Sequence, residues 1–375
     1  MKPFGFVLLF AALGSAYAQK AARLAPYKEV PVPIKAERSV NAPIRLSDIM
    51  EAPQYIRITS KGVVGKIGDI KYQNGRFYVL DMDHSSLLVL DGEGRERFTI
   101  RKQGRARDEY ISLWAFDVHP RTGEISIYDQ SGRKIVVFSP EGKYLRTVSV
   151  PVEGYGVFRD IAVTLQGTYL LYAPDPHGTR KFGLFEMDAS GKAVRHLFSP
   201  EKDFRQSILR SPLTYFSRLS DGSLRLMGEA DRDEDYSFSA KGELSVPYRF
   251  VYDVRLSAKT RRAEYPSKDG DETYHQVTNS IETDQWILFM LLYRNRVHYI
   301  VYHKPTGRLQ MAVPDTRGRF GRDLVLDGRP FLPVRGAGDR VLSYVEYDPD
   351  NVLFQQAVQA VGPTENPVLV VAKLK

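Results

Sequence analysis

The chain has 375 residues, of which 43% are hydrophobic and 26% are charged, and its formal net charge is +8. This composition is typical of a soluble globular protein, long enough for one large β domain or two smaller ones. The basic residues are spread along the chain and form no dense block, so we expect no nucleic-acid partner. With 0 cysteines, the sequence excludes a disulfide framework, a thiolate metal site and a lipid-anchored cysteine.

The first 18 residues have the pattern of a secretory signal peptide. Lys2 precedes an apolar run at 4–13, and residues 16–18 (AYA) form a small-x-small cleavage site. The apolar run is too short to span a bilayer, which argues against a membrane anchor. We therefore predict cleavage before Gln19, a secreted or periplasmic location and no membrane span.

The next segment, residues 19–52, contains several prolines and is expected to be an extended lead-in with a single helical turn at Leu46–Ile49. Gln54–Ser60 then alternates apolar and polar residues, which predicts a strand, yet no hairpin partner adjoins it. Such an orphan strand can pair with the last sheet of a closed repeat fold and so remove its exposed edge.

The stretch from Gly65 to Tyr110 sets the pattern for the rest of the chain. Its β-runs, rich in Val, Leu, Ile, Tyr and Phe, alternate with turn signals, which predicts four antiparallel strands joined by tight turns. Similar groups follow at Trp114–Val150, Phe158–Pro200, Thr214–Tyr252, about His275–Val313 and from Asp323 onward. The repeat length of roughly 40–50 residues is typical of propeller blades.

These repeats predict an all-β fold over residues 53–375, a single six-bladed β-propeller of four-stranded antiparallel blades. Gln54–Ser60 is expected to be the N-terminal strand that closes the last blade. Leu353, Ala357 and Val361 recur at helical spacing, so we also expect a short helix at Asp350–Ala360 before the final strand.

Several stretches carry a resemblance to a known family. They are LSDIMEAPQYIRI from Leu46, GKIGDIKYQNGRFYVLDMDHSSLLVLDGEG from Gly65, YSFSAKGELSVPYRFVYD from Tyr236, LVLDGRPFLPV from Leu324 and ENPVLVVAKLK from Glu365. On these stretches the chain resembles the secreted six-bladed β-propeller proteins found widely in Bacteroidetes, relatives of the NHL-repeat propellers. The resemblance implies their fold and no particular reaction. Family members often have a Gly-Pro-Gly turn before a Glu-Tyr pair; here Gly104 and Glu109-Tyr110 match, and residues 105–108 (RARD) fill the middle.

The candidate ligand-binding residues lie in predicted loops on one face of the propeller. The loops from second to third strand, and from blade to blade, are expected to surround the channel mouth on that face. The candidates are Asp83, His84, Arg105, Arg107, Arg133, Tyr155, His177, Arg180, Arg294 and Arg335. The set is mostly cationic, and the guanidinium group presents a fixed fork of donors to carboxylate or phosphate. The sequence therefore favours an anionic or polar ligand.

Other roles stay open for some residues. His84 and His177 could act as general base and acid or as metal ligands, although their spacing matches no metal motif. The carboxylates within Asp231–Asp235 could hold calcium, but this loop lacks the glycine and closing glutamate of a calcium loop. Trp114 and Trp286 are interpreted as core residues in preference to sugar platforms. We predict no catalytic residue, no cofactor and no bound metal ion.

Function is predicted only by class. The favoured class is a non-catalytic binding or scaffold protein with a small-molecule, glycan or peptide ligand at the channel mouth and other envelope proteins as further partners. The alternative is a propeller enzyme, a lyase or hydrolase, that uses channel-mouth histidine and a metal ion; this would require His84 or His177 within hydrogen-bond reach of a second titratable group in a pocket. A third class, a purely structural module, would instead expose an apolar patch.

Overall fold

Short strands joined by tight turns make up most of the secondary structure. The computed structural model describes residues 27–33, 44, 46–151, 158–173, 183–197, 215–226, 234–253, 275–293, 296–312, 325–326, 329–330 and 334–375. Two short helices accompany the strands in these ranges, α1 at Leu46–Ile49 and α2 at Val352–Val361. The single helical turn and the C-terminal helix predicted from the sequence are thereby confirmed.

The first two sheets are four-stranded antiparallel blades, as their turn signals predict. Their strands are β3 Ile67–Gln73, β4 Arg76–Asp81, β5 Ser86–Asp91, β6 Glu96–Ile100, β7 Leu113–Val118, β8 Ile125–Asp129, β9 Lys134–Phe138 and β10 Tyr144–Ser149. The β3–β4 turn is formed by Asn74 and Gly75, which both have positive φ angles of 53° and 72°. This pair suits the tight hairpin turns whose twist matches that of the flanking strands.

Two further blades have the same four-stranded antiparallel order. Their strands are β11 Asp160–Val163, β12 Tyr169–Tyr172, β13 Leu184–Met187, β14 Ala193–Leu197, β19 His275–Glu282, β20 Trp286–Tyr293, β21 Arg296–His303 and β22 Arg308–Ala312. The faces of neighbouring blades pack together through alternating apolar residues. Tyr78 and Leu80 of β4, for example, are buried against Phe116 of β7 and Ile127 of β8.

A fifth, nine-stranded sheet corrects the predicted blade count. Its nine strands run in the order β1-β18-β17-β16-β15-β25-β26-β27-β2. They are β1 Lys28–Val32, β2 Gln54–Arg57, β15 Phe216–Arg218, β16 Leu224–Leu226, β17 Glu234–Phe238, β18 Leu244–Tyr252, β25 Arg335–Ala337, β26 Arg340–Val345 and β27 Val368–Lys373. The prediction of six four-stranded blades is therefore wrong: the described chain has four such blades, and these strands join in one sheet. A two-stranded ribbon, β23 Val325–Leu326 with β24 Arg329–Pro330, completes the described strands.

The two antiparallel parts of the nine-stranded sheet are joined by a parallel bridge between Arg218 of β15 and Ala337 of β25. The Gly338 N–H also donates to the Arg218 carbonyl at 2.9 Å. Beside this bridge, Gly336 allows β25 to lie close to β19, since a Cβ added there would lie 2.2 Å from the carbonyl oxygen of Glu282. The bridge is non-local in sequence, and for that reason hydrophobic periodicity did not reveal it.

The N-terminal segment pairs where the sequence predicted. β2 lies antiparallel to β27, with Ile56 opposite Leu369, so the expected pairing of this orphan strand with the C-terminal strand is confirmed. The lead-in is less irregular than expected, because β1 pairs in parallel with β18. Helix α2 begins after Asn351, whose side chain accepts a hydrogen bond from the Leu353 N–H, and covers the end of β27.

The first strands of the sheets form a closed ring. β3 contacts β7, β7 contacts β11, β11 contacts β15, β15 contacts β19, β19 contacts β25, and β25 returns to β3. A ring of first strands around a central channel is the arrangement of a propeller. The described chain is therefore an all-β propeller, and the channel is the place where side chains from different sheets meet.

Candidate ligand-binding site in the central channel

Buried aspartates on the first strands tie neighbouring sheets together. They are Asp69 on β3, Asp117 on β7 and Asp160 on β11. Asp117 Oδ2 accepts a hydrogen bond from the Val163 N–H of β11 at 2.6 Å. Asp160 Oδ2 accepts from two N–H groups at the start of β15, at 2.7 and 3.1 Å. Asp117 and Asp160 thus satisfy N–H groups of the next first strand in the ring, whereas Asp69 accepts from the Ile70 N–H of its own strand at 2.8 Å.

Three cations pair with these aspartates inside the channel. Lys71 Nζ lies 2.9 Å from Asp117 Oδ1, and Arg218 Nη2 lies 2.7 Å from Asp117 Oδ2. Arg335 binds Asp69 through two parallel bonds, Nε to Oδ1 at 2.9 Å and Nη2 to Oδ2 at 2.7 Å. Buried ion pairs with further hydrogen bonds are strongly destabilised when one partner is removed, because the other charge is left uncompensated.

Two of these buried aspartates, Asp117 and Asp160, differ in acidity. Burial by itself would raise the pKa of Asp117, but Lys71 and Arg218 outweigh it and lower this pKa to about 2. Burial dominates at Asp160 and raises its pKa, against the opposing effect of Arg335, whose Nη2 is 3.6 Å away. The Asp117 carboxyl group is therefore ionised at neutral pH, whereas the Asp160 carboxyl group is a weaker acid than an ordinary aspartate.

Two cavities with shared lining residues lie at one end of this charged ring. The inner chamber, of about 30 Å³, has space comparable to one water molecule. It is lined by Lys71, Tyr72, Gln73, Asp117, Val118, Ala162, Phe216, Arg218, Leu224, Arg335, Gly336 and Ala337. The outer cavity, which we call the mouth cavity, measures about 430 Å³. It is lined by Tyr72, Gln73, Asn74, Pro120, Arg121, Leu165, Arg218, Leu219, Ser220, Asp221, Gly222, Ala337, Gly338, Asp339 and Arg340.

Arg218 lines both cavities, as do Tyr72, Gln73 and Ala337. The Arg218 Nη2 group is engaged by Asp117 and by the carbonyl of Val163, each at 2.7 Å. Its Nη1 group is buried and has no hydrogen-bond partner in the described part of the chain. A guanidinium donor at the junction of the two cavities is suited to an acceptor oxygen of a ligand.

The rim of the mouth cavity is polar and of mixed charge. Asp339 lies 3.6 Å from Arg340 Nε and 3.5 Å from Lys373 Nζ, and the Arg340 guanidinium lies 5.5 Å from the centre of the Tyr72 ring. The Ser220 N–H donates to Asp284 at 2.9 Å, which fixes the β15–β16 turn. Such a rim can form hydrogen bonds with a polar ligand without a strong preference for one sign of charge.

The sequence-predicted histidine does have a carboxylate neighbour. His84 Nδ1 lies 2.8 Å from Asp81 Oδ2, and the same carboxylate accepts from the backbone N–H groups of Gly65 and His84, both at 3.1 Å. Asp129, the last residue of β8 as Asp81 is of β4, plays the same part and accepts from the Gly132 N–H at 2.9 Å. The carboxylate therefore fixes a turn that repeats between blades, and His84 lines neither cavity described above.

Most other predicted site residues lie apart from the two cavities. Asp83 accepts from the Lys66 N–H at 2.9 Å. Arg105, Arg107 and Arg133 are exposed at the channel end opposite the mouth cavity. Of the six candidates that the structure describes, only Arg335 lines one of the two cavities, as a buried partner of Asp69 in the inner chamber. Tyr155, His177, Arg180 and Arg294 lie outside the described residues. A ligand site formed by this set stays a prediction.

The two tryptophans have different environments. Trp286 is 9% exposed and its indole N–H donates to the Lys375 carbonyl at 2.7 Å, so its interpretation as a core residue is confirmed. Trp114 is 38% exposed, and the interpretation as a core residue is wrong there. The reason is a β-bulge in β7 between Leu113 and Ala115, which takes Trp114 out of the regular alternation.

The acidic segment considered for calcium is described only at its end. Asp235 lies in β17 and is fully buried, while the side chains before it fall outside the described residues. Burial, and then the nearby Glu282, raise the pKa of Asp235 well above its usual range. Lys304 Nζ lies 2.6 Å from Glu282 Oε1, so the cluster already contains a cation. Within the described ranges, no group of three or more His, Asp or Glu side chains is placed to hold a metal ion.

Sequence comparison assigns the chain to a family. It belongs to DUF4934, a domain of unknown function, which matches residues 30–373. None of the curated proteins matches the chain in sequence. Among the described residues, no helix has the length and apolar character needed to cross a membrane.

The chain is similar to solved structures at low sequence identity. The Bacteroides fragilis protein BF0058, provisionally named an exported protein, is 15% identical with a TM-score of 0.69, over 93% of this chain and 100% of that one. A DUF4221 member from Bacteroides vulgatus is 10% identical, with a TM-score of 0.49 over 87% and 97%. Virginiamycin B lyase from Staphylococcus aureus is 10% identical, with a TM-score of 0.43 over 83% and 81%. The first similarity supports the propeller fold, and the other two carry no argument. The expected relationship to NHL-repeat propellers stays a prediction.

Proposed function

We propose that this protein is an exported, non-catalytic binding protein that holds a polar ligand in the mouth cavity at the end of its channel. The observation that carries the proposal is the size of the mouth cavity. Its volume of about 430 Å³ lies within the range of roughly 300–1,000 Å³ usual for small-molecule sites. Turns from several sheets converge on it, so the propeller fold positions the lining residues relative to one another.

The charges below the mouth cavity support an anionic or oxygen-rich ligand, such as an acidic glycan or a peptide terminus. Arg218 stands at the floor of the cavity, with Lys71 in the chamber beneath it, and Arg121 and Arg340 stand at the rim. Asp117 accepts bonds from Lys71, Arg218 and a backbone N–H, which leaves it little capacity for a ligand cation. An acceptor oxygen of the ligand is therefore better matched to this floor than a donor is.

The alternative of an enzyme has no comparable support. Asp81 and His84 are within hydrogen-bond reach of each other, but they fix a turn and lie away from the two cavities. The cavities themselves contain Lys71 and Asp117, which are committed to a structural ion pair. No specific observation favours a lyase or a hydrolase reaction over binding.

Export is also part of the proposal. The signal-peptide pattern of residues 1–18 and the similarity to a Bacteroides protein provisionally named as exported both support it. A secreted or periplasmic location would give the mouth cavity access to envelope glycans and peptides.

The experiment is a ligand screen with a cavity-filling variant. Acidic and neutral oligosaccharides and short peptides are tested against the mature chain by thermal shift and then by calorimetry. Gln73, partly exposed and common to both cavities, is replaced by Trp; the matched control is Val194→Trp on the exposed outer strand β14. We expect Gln73→Trp to weaken binding at least about tenfold, or about 1.4 kcal/mol. Equal affinity of the ligand for both variants would place the site elsewhere.

A further inference from the structure

The channel end opposite the mouth cavity carries a second, distinct surface. The β3–β4 turn borders the mouth cavity, so in an antiparallel sheet the β4–β5 turn lies at the other end. The connection that leads into β7 lies at that same end, as does Arg159, the residue before β11. We call this surface the arginine face and define it by Met82, Arg105, Arg107, Ile111, Trp114, Arg133 and Arg159.

Hydrogen bonds across the ring place the members of the arginine face at one level. The Lys71–Asp117 and Asp117–Val163 bonds align β3, β7 and β11. Gly68, Trp114 and Asp160 lie within the first two residues of these three strands. The Met82 side chain lies over Gly68, where an added Cβ would be only 2.7 Å from Met82 Cγ. Met82, in the β4–β5 turn over β3, and Trp114, near the start of β7, therefore stand beside adjacent first strands at the rim of the channel.

The apolar members of the arginine face are exposed in a composition typical of interfaces. Met82 is 45% exposed, and Ile111 and Trp114 are each 38% exposed. The Arg159 guanidinium lies 5.1 Å from the centre of the Trp114 ring, a cation–π arrangement that orients both side chains. Trp, Met and Arg are enriched at protein–protein interfaces, and Trp and Arg are frequent binding hot spots.

The charge of the arginine face is positive. Arg105, Arg107, Arg133 and Arg159 make no ion pair with any carboxylate in the portion of the chain that the structure describes. The Lys102–Asp108 pair, at 2.5 Å, is neutral as a pair, and the nearby carboxylates of Asp83 and Glu109 accept from backbone N–H groups, so the four arginines keep the face positive. An acidic partner therefore complements this surface.

The segment that carries Arg105 and Arg107 is held in place by its backbone. Glu109 accepts from the Ala106 N–H at 2.8 Å, Lys134 Nζ donates to the Ala106 carbonyl at 3.0 Å, and the Thr147 hydroxyl donates to the Arg107 carbonyl at 2.6 Å. These bonds fix the turn while the two guanidinium groups remain exposed. A preorganised turn loses little conformational freedom on binding, which favours affinity.

We propose that the arginine face docks an acidic polypeptide segment of a partner protein, with an aromatic or aliphatic side chain of the partner packed against Trp114, Met82 and Ile111. A polypeptide fits better than an acidic polysaccharide, because Arg159 lies over the Trp114 ring at 5.1 Å, and Met82 and Ile111 offer irregular apolar surface. The site is separate from the mouth cavity, so the surface can bind a partner whether or not the channel holds a ligand.

The test uses a random Glu–Tyr copolymer as the probe, with poly-Glu and a polyuronate as comparison probes. Trp286 is nearly buried, so acrylamide quenching of tryptophan fluorescence, excited selectively, reports mainly on Trp114. We expect the Glu–Tyr copolymer to protect Trp114 from quenching and to bind at least about tenfold more tightly than either comparison probe. Arg105→Ala with Arg107→Ala should weaken this binding at least about tenfold, and Trp114→Ala should reduce the preference for Glu–Tyr over poly-Glu.

The control is Arg97→Ala with Arg308→Ala, which removes the same charge from exposed positions on the outer strands β6 and β22. It should leave the affinity for the copolymer within about twofold of the unsubstituted chain. The proposal is overturned by no binding of the Glu–Tyr copolymer, by equal binding to the two double variants, or by tighter binding of the polyuronate. The last outcome would assign the face to an acidic glycan.

Discussion

Deletion of residues 1–60 should remove most of the stability of the propeller, because this segment connects its two ends. β2 forms an antiparallel ladder with the C-terminal strand β27. Just beyond it, the Thr59 N–H donates to the Gly94 carbonyl, and the Thr59 carbonyl accepts from the Glu96 N–H, both at 2.9 Å. Asn366 also donates to the Ile58 carbonyl at 3.2 Å. The segment thus connects the last strand of the chain to the first blade.

The magnitude follows from what the deletion exposes. Ile56 and Ile58 are buried, and each such side chain contributes about 1.5–3 kcal/mol when removed from water. The lost backbone bonds contribute about 0.5–1.5 kcal/mol each. The total, about 5–10 kcal/mol, is comparable to the roughly 5–15 kcal/mol that stabilises a typical domain.

The assay compares thermal and urea unfolding of chains that begin at residue 27 and at residue 61. The first chain retains β1 and β2 and serves as the control. We expect the second to melt at least about 10 °C lower, or to lose its cooperative transition. Single Ile56→Ala and Ile58→Ala substitutions should each cost about 2–5 kcal/mol. If the two chains melt at the same temperature, the pairing of β2 with β27 does not close the structure.

Three further predictions concern export and charge. Mass spectrometry of the exported protein should show a mature N-terminus at Gln19, and retention of residues 1–18 would contradict the proposed location. Arg105→Ala with Arg107→Ala should change unfolding free energy by only about 0–1 kcal/mol, since exposed charges contribute little; a large loss would mean that these arginines are structural. The folded-state pKa of Asp235 is raised, so its contribution to stability is full below the unfolded value and is lost as pH rises through the folded value. Asp235→Asn should therefore gain stability relative to the original chain as pH rises above the unfolded value of about 3.9, and a constant difference in urea unfolding would refute this. Asp117 behaves in the opposite sense: with a pKa of about 2, its contribution is present above the unfolded value of about 3.9 and is lost as pH falls towards 2.

Local patterns predicted most of the strands. The strand groups from Ile67 to Ser149 match the predicted repeats, because alternating apolar residues and Asn-Gly or Asp-Gly turns are readable within a short window. The blade count failed where a contact depends on residues distant in sequence, the bridge between Arg218 and Ala337. β1 was missed for a related reason, since it pairs with β18 far along the chain.

The site was harder to predict than the fold. Lys71, Asp117 and Arg218 lie on strands, where a charge at an alternating position usually indicates a solvated face. Only closure of the ring brings them together and buries them. The available signal was the recurrence of Asp in successive first strands, in GDI, FDV and RDI. Trp114 was misplaced because a one-residue bulge shifts the alternation without changing composition.

The most direct test of the account is the affinity and fate of a ligand identified in the screen, measured with the mature chain and with Gln73→Trp. We expect the ligand to bind the mature chain, to lose at least about tenfold in affinity for Gln73→Trp, and to be recovered chemically unchanged after prolonged incubation. Equal affinity for the two proteins would contradict a site in the mouth cavity. Conversion of the ligand by the mature chain would contradict the non-catalytic role.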